Sequence, residues 1–242
     1  MTMRRDLSLA DRKVNTKPSK KVVVFDIDDI DRHFQESLVR IQTQLDHVED
    51  ITKLNEGVAE EIIRSQIVAL DSAFDFYLHE IIKLGIVEMY HKEGGFLQTK
   101  NYKKLLVPMC VLEQAVIQKG KDDWLKEWIN KAYSWKPYMS YESFKEVCHL
   151  IGIEVERVSD ALYPRGNGID PIQELKASID NLYSHRNRIA HQSDRESEDA
   201  TRCTIEKEDV EKYIHSIERI VSEMNNQIKE KQLNKEESES KE

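Results

Sequence analysis

Apolar residues recur along this chain at alternating intervals of three and four, the spacing of a single buried helix face. Four stretches sustain it. Phe34, Leu38, Ile41, Leu45 and Val48 predict a helix over about 29–55, with Asp28, Asp29 or Asp31 as its cap and Asn55-Glu56-Gly57 as its end. Ile63, Ile67, Leu70, Phe74, Tyr77, Ile81 and Leu84 predict a longer helix over 58–91, stopped by Glu93-Gly94-Gly95. Ile172, Leu175, Ile179 and Leu182 mark a third over 171–191, opened by Asp170-Pro171, a cap with proline at the first helical position. Val210, Tyr213, Ile217, Ile220 and Met224 mark a fourth over 206–230, opened by Thr204 or a neighbour.

Between the second and third stripes, residues 100–119 read as a helix carrying Leu105, Leu106, Met109, Leu112 and Val116, kinked or begun late at Pro108. Shorter pieces carry Trp124, Leu125, Trp128 and Ile129, then Phe144, Val147, Cys148 and Ile151. The fold class this predicts is all-α: an antiparallel helical bundle of four long helices, with short helices in the middle of the chain. Val22-Val23-Val24-Phe25 fits either a strand or a clip docked on the body. The organisation expected is a basic, flexible arm over 1–25, one helical domain over 26–232, and a charged, disordered tail over 233–242.

The third stripe is interrupted. After Leu182 the next seam position is Arg186, and the pattern then resumes at Ile189. An unpaired guanidinium is very costly to bury, so Arg186 must meet a carboxylate, a polar cavity or a subunit seam. Asp71 and Asp75, each one residue past a seam position of the second helix, are the carboxylates in register to do so. Asn187 and His191 lie four apart, one above the other on a helix, and Arg188 is three before His191. A polar cluster is thus cut into the end of a core-facing helix. Its plainest reading is structural: Arg186 ion-paired, and His191 near the helix's negative end.

Composition narrows the alternatives. Gly and Pro number only 8 and 5, which favours helices over a many-stranded sheet. Cys110, Cys148 and Cys203 are far apart and form no metal-ligand spacing, so no metal or cofactor is expected and a reducing, cytoplasmic setting is. The opening Met1-Thr2-Met3-Arg4-Arg5 leads into no apolar run, so neither a signal peptide nor a membrane span is expected. The net charge of −9 excludes broad electrostatic attraction to nucleic acid. Any polyanion site must be local. Two places qualify: residues 1–21, with seven basic against two acidic residues, and the segment holding His185, Arg186, Arg188 and His191. Trp124, Trp128, Trp135, Tyr138 and Tyr141 could stack bases, but such a cluster is more often core.

The run Arg186-Asn187-Arg188-Ile189-Ala190-His191 resembles the Arg-x4–6-His motif of the HEPN superfamily in its Arg-Asn-x3-His form. The long second helix, the Trp-containing middle and the close through Thr204, Val210, Tyr213 and Ile217 resemble the RiboL-PSP-HEPN type over about 30–230. The resemblance implies a metal-independent endoribonuclease working as a homodimer, with two motifs meeting in one cleft and RNA as substrate. Arg186, Asn187 and His191 would be catalytic, and Arg188 and His185 would bind substrate. Histidine exchanges protons near neutrality, so His191 is the group to move the 2′-OH or 5′-oxygen proton. Arg186 would stabilise charge on the phosphate. The products would be a 2′,3′-cyclic phosphate and a 5′-OH. The family also implies a role as effector of an antiviral or toxin-like system, with a cognate antitoxin or another defence-system subunit as partner. Ser193 stands where HEPN toxins silenced by adenylylation carry tyrosine, so that control is not expected. The alternative is a non-catalytic HEPN interaction or nucleotide-binding module in a larger complex.

Overall fold

The computed structural model describes residues 21–240 apart from 119, 167, 169 and 197, and only the backbone of 236–239. Among the described residues its regular elements are helices, and an isolated antiparallel bridge joins Arg195 and Arg202. The expected arm lies outside the described residues as far as residue 20. Val24 and Phe25 form no strand. They pack half-buried against the core, with the Phe25 ring edge-on to His33, so this stretch is a clip.

Helix α1 (Ile27–Asp46) buries Ile30, Phe34, Leu38, Ile41 and Leu45 along the predicted stripe. Its cap is Asp26, whose carboxylate accepts the Asp29 amide at 2.8 Å, rather than any of the three aspartates expected. The chain turns at His47 into a short α2 (Val48–Leu54), so the first predicted helix is two. Helix α3 (Glu56–His91) starts at the Asn55 cap and ends on a left-handed Lys92. At 36 residues it is about 54 Å long. It is buried on nearly every side because α1, α2, α5, α6, α8 and α9 all pack on it. Its predicted seam from Ile63 to Leu84 is buried throughout.

A short 3-10 turn (Tyr102–Lys104) is followed by extended chain to Pro108, and α4 (Met109–Ile117) begins only there. Helices α5 (Asp123–Tyr133), α6 (Tyr141–Ile151) and α7 (Val155–Leu162) complete the middle of the chain. Trp124, Trp128, Tyr138 and Tyr141 are core residues, and only Trp135 of that aromatic group is exposed. Helix α8 (Pro171–Gln192) is capped by Asp170 through the Ile172 amide, with Pro171 leading, as the sequence predicts. Helix α9 (Lys207–Glu239) starts three residues after Thr204 and runs on through 233–239, where a disordered tail was expected.

Gly95 marks a close approach between the loop after α3 and the backbone of α9. A Cβ built there would lie 2.4 Å from the backbone nitrogen of Gln232 on α9. Backbone cannot swing aside as a side chain can, so Gly95→Ala should lower unfolding free energy by about 1–3 kcal/mol in urea titrations. No helix of the described residues is long and apolar enough to cross a membrane.

Candidate functional site

The polar cluster occupies the last two turns of α8. Asn187, Arg188 and His191 line one side of an open cleft of about 590 Å³, with His185, Gln192 and Tyr213 of α9 closing it. Asn187 and His191 share this wall, as their spacing of four predicts. His191 is exposed to solvent. Arg186 is not on that wall. Five residues of helix amount to about 140° of rotation, so its side chain turns from the His191 face towards α3. There its Nε lies 3.1 Å from Oδ2 of Asp71. Its Nη1 donates to Oδ1 of Asn187 at 2.9 Å. Asp75, the other candidate partner, instead accepts the Tyr138 amide and faces His79.

The Arg186–Asp71 pair is an ion contact without good hydrogen-bond geometry. Neither the Arg186 Nε–H nor Oδ1 of Asp71 has a hydrogen-bond partner. Burial pushes the Asp71 carboxyl up to about 7, and the Arg186 charge only partly opposes it. The folded protein holds a proton on Asp71 that the unfolded chain releases near pH 4, so stability falls as pH rises from about 4 to 7. Asp71→Asn should flatten that slope in chemical denaturation at several pH values. A slope unchanged by the substitution would mean that Asp71 is ionised throughout.

A second ionic centre supports the cleft from below. Asp194 is fully buried two residues past the end of α8, and both Ser193 and Asp194 adopt left-handed backbone. Its Oδ1 accepts from Nε of Arg188 at 2.7 Å and its Oδ2 from Nε of Arg64 at 2.9 Å. Arg64, buried on α3, also donates to the Cys203 carbonyl at 2.6 Å and to Glu60 at 2.9 Å. Burial alone would raise the Asp194 carboxyl, but the hydrogen bonds from Arg188 and Arg64 outweigh it and hold it below the ordinary carboxylate range. The left-handed turn delivers this carboxylate under the α8 terminus, and Arg64 ties it to α3. The polar stretch 192–200 therefore contains one of the most buried charges among the described residues.

His185 faces the same carboxylate. Its Nε2 is 3.8 Å from Oδ1 of Asp194, and its Nδ1 is 3.4 Å from the Tyr213 hydroxyl. Burial lowers its pKa, with Asp194 opposing and Arg188 adding to the effect. Its lowered basicity reduces the positive charge that it brings to the cleft. The basic cluster expected from the sequence is correspondingly muted, since Arg186 faces Asp71 and Arg188 is bound to Asp194. Among the described residues, no three His, Cys, Asp or Glu side chains are grouped to hold a metal ion.

A buried multi-helix bundle with an Arg/Asn/His cluster at the end of its penultimate long helix defines a protein of the HEPN class. The family model for RiboL-PSP-HEPN matches residues 32–230, and the chain belongs to that family. No curated protein and no solved structure matches it significantly.

Proposed function

We propose that the protein is a HEPN-type endoribonuclease that needs no metal ion, and that it acts as a homodimer. The observation that carries this reading is the pairing of exposed His191 with Asn187 on the wall of an open cleft, supported from beneath by the Arg188–Asp194–Arg64 centre. RNA brings its own nucleophile. The 2′-oxygen attacks the adjacent phosphorus as its proton passes to a His191 imidazole. The P–O5′ bond breaks, the 5′-oxygen takes up a proton from the imidazolium of the other His191 in the dimer, and a 2′,3′-cyclic phosphate and a 5′-OH remain. Within one chain Arg186 points away from His191, so a single copy does not aim both at one phosphate. A second copy facing the first supplies the missing side: two α8 ends meet, and Arg186 of each lies at the seam its sequence position marks. Arg186 then stabilises the charge that builds on the phosphate oxygens. Asn187, already bonded to Arg186, holds the guanidinium beside the cleft.

The test is incubation of purified protein with several single-stranded RNAs in EDTA, followed by analysis of the product ends. Cleavage leaving cyclic phosphates is expected. A folded dimer that cleaves none of them would favour the second reading, a non-catalytic HEPN module that binds nucleotides or assembles with other subunits. One observation favours that reading: Arg186 is already engaged by Asp71 and Asn187 and does not line the cleft. As effector of an antiviral or toxin-like system, the nuclease would act in the cytoplasm and be held in check by a cognate antitoxin or another defence subunit. Overexpression in a bacterial host would then be toxic, and Arg186→Ala would relieve it.

A further inference from the structure

A second cavity, of about 290 Å³, lies between α3 and the last turn of α5 and shares no lining residue with the His191 cleft. Asp75, Phe76, Glu80 and Lys83 of α3 form one wall, and Tyr133 of α5 is part of the other. Glu80 is the anomaly. It lines the cavity yet is only 5% exposed. Its Oε1 accepts from Nζ of Lys83 at 2.6 Å. Its Oε2 is buried and has no hydrogen-bond partner among the described residues. Buried polar atoms in folded proteins are rarely left without a partner, because the omission is costly. A carboxylate oxygen accepts, so the group that satisfies it must donate.

Asp75 brings a second carboxylate to the same wall. Its Oδ1 accepts the Tyr138 amide at 2.8 Å, and its Oδ2 lies 3.5 Å from Nε2 of His79. Burial alone would raise its carboxyl, but His79 and the Tyr138 amide outweigh that and hold it below the ordinary carboxylate range. The surroundings favour a cation. The Lys83 charge is spent on Glu80, which leaves the Asp75 charge in excess. The α5 wall is the C-terminal turn of an 11-residue helix, the negative end of its dipole. Phe76 and Tyr133 supply aromatic rings, whose faces attract ammonium groups. A metal ion is the poorer occupant, since no three His, Cys, Asp or Glu side chains among the described residues are grouped to hold one. A phosphate is poorer still, because it would meet two carboxylates and a lysine already paired.

We propose that this cavity binds a short aliphatic diamine in its protonated form, with one ammonium on Glu80 and the other on Asp75. An ammonium carries three donors and no acceptor. One donor meets the orphaned Oε2 of Glu80, and at the other end one meets Oδ2 of Asp75 beside His79. Five residues of helix set the two carboxylates about 7.5 Å apart along the axis, a span that a short run of methylenes bridges. The methylenes lie against Phe76. The volume suits such a molecule: at the ~30 Å³ that each water takes in the liquid, there is room for about ten non-hydrogen atoms. The site does not depend on the ribonuclease reading, because none of its residues belongs to the motif.

Isothermal titration of the full-length protein with putrescine at fixed ionic strength is the test. One saturable site per chain is expected. Butylamine has the same carbon chain and a single nitrogen, and it should bind about 10–100-fold more weakly, the worth of one charge-assisted hydrogen bond. Glu80→Gln and Asp75→Asn should each weaken putrescine by a similar factor. Both keep the side chain's shape and an oxygen for the existing bond, and circular dichroism checks that each is folded. Asp50→Asn, which neutralises an exposed carboxylate on α2, should bind as the parent does. The proposal is overturned if millimolar putrescine gives no saturable heat, which would mean that solvent alone meets Oε2. It is overturned if butylamine binds as tightly as putrescine, a comparison that needs no variant and so stands even where a substitution unfolds the protein. It is equally overturned if a folded Glu80→Gln or Asp75→Asn binds undiminished, or if Asp50→Asn loses as much, which would mean diffuse attraction to an acidic protein.

Discussion

Replacing His191 with alanine is expected to reduce RNA cleavage by about 10²–10⁴-fold, the usual contribution of a positioned acid–base group. That loss corresponds to about 3–5 kcal/mol of transition-state stabilisation. The fold should be unaffected. The His191 ring is exposed, and no described residue hydrogen bonds or ion-pairs with it, so its removal exposes no orphaned partner. Unfolding free energy in urea should stay within about 0.5 kcal/mol of the parent, as for most surface substitutions. This separation of activity from stability is the signature of a chemical role. If His191→Ala cleaved RNA as fast as the parent, another group would be the acid–base residue, and His185 on the same cleft would be the first to examine. Arg186→Ala should differ in kind. It removes activity and also the cation beside buried Asp71, so both readouts should move.

The largest effect on stability is expected at the buried carboxylate. Asp194→Ala removes the fully buried acceptor of Arg64, which is 2% exposed and keeps Glu60 and the Cys203 carbonyl, and it releases Arg188 from its anchor. Breaking a buried ion pair from one side typically costs about 3–5 kcal/mol, and the bonds that Arg64 keeps put the expected loss at the low end of that range. A substantial drop in the urea midpoint with an unchanged slope is the expected result. Arg64→Ala should have a comparable effect from the other side, and the double substitution should cost less than the two single effects together. The pH dependence has the opposite sign to that of Asp71. The Asp194 carboxyl lies below its ordinary range, so its stabilisation is present above about pH 4 and is lost as pH falls through the lowered folded value. A mild effect of Asp194→Ala at neutral pH would show that the two arginines find other partners and that the centre is no clamp.

Periodicity reports which side of an element is buried, and that is why the four long helices were legible in the residue pattern. The Arg186 anomaly was legible for the same reason, and Asp71 could be named because it lies one residue past the seam. Arg64 lies one residue past the seam at Ile63 and seven before Asp71, so the two share a face two turns apart. That spacing was available as a signal. It was missed because its partner sits in a polar stretch that reads as exposed loop. Asp194 is buried by a left-handed turn, and a turn leaves no period behind. The α4 stripe misled in the opposite direction. Its apolar pattern is real, yet Met109, Leu112 and Val116 are exposed in the folded chain.

The Arg64 clamp joins residues 130 positions apart in the sequence, and its bond to the Cys203 carbonyl spans 139. Contacts this remote carry a large loop-closure cost, which slows their formation. During synthesis, α3 leaves the ribosome with Arg64 held only by Glu60 and Glu61 of its own helix, and the end of α8 has no floor until residue 203 has followed. The cleft is therefore among the last parts of the molecule to be assembled. A truncated or stalled product carries the motif without its support, so the timing of translation itself keeps an incomplete chain from presenting a finished site.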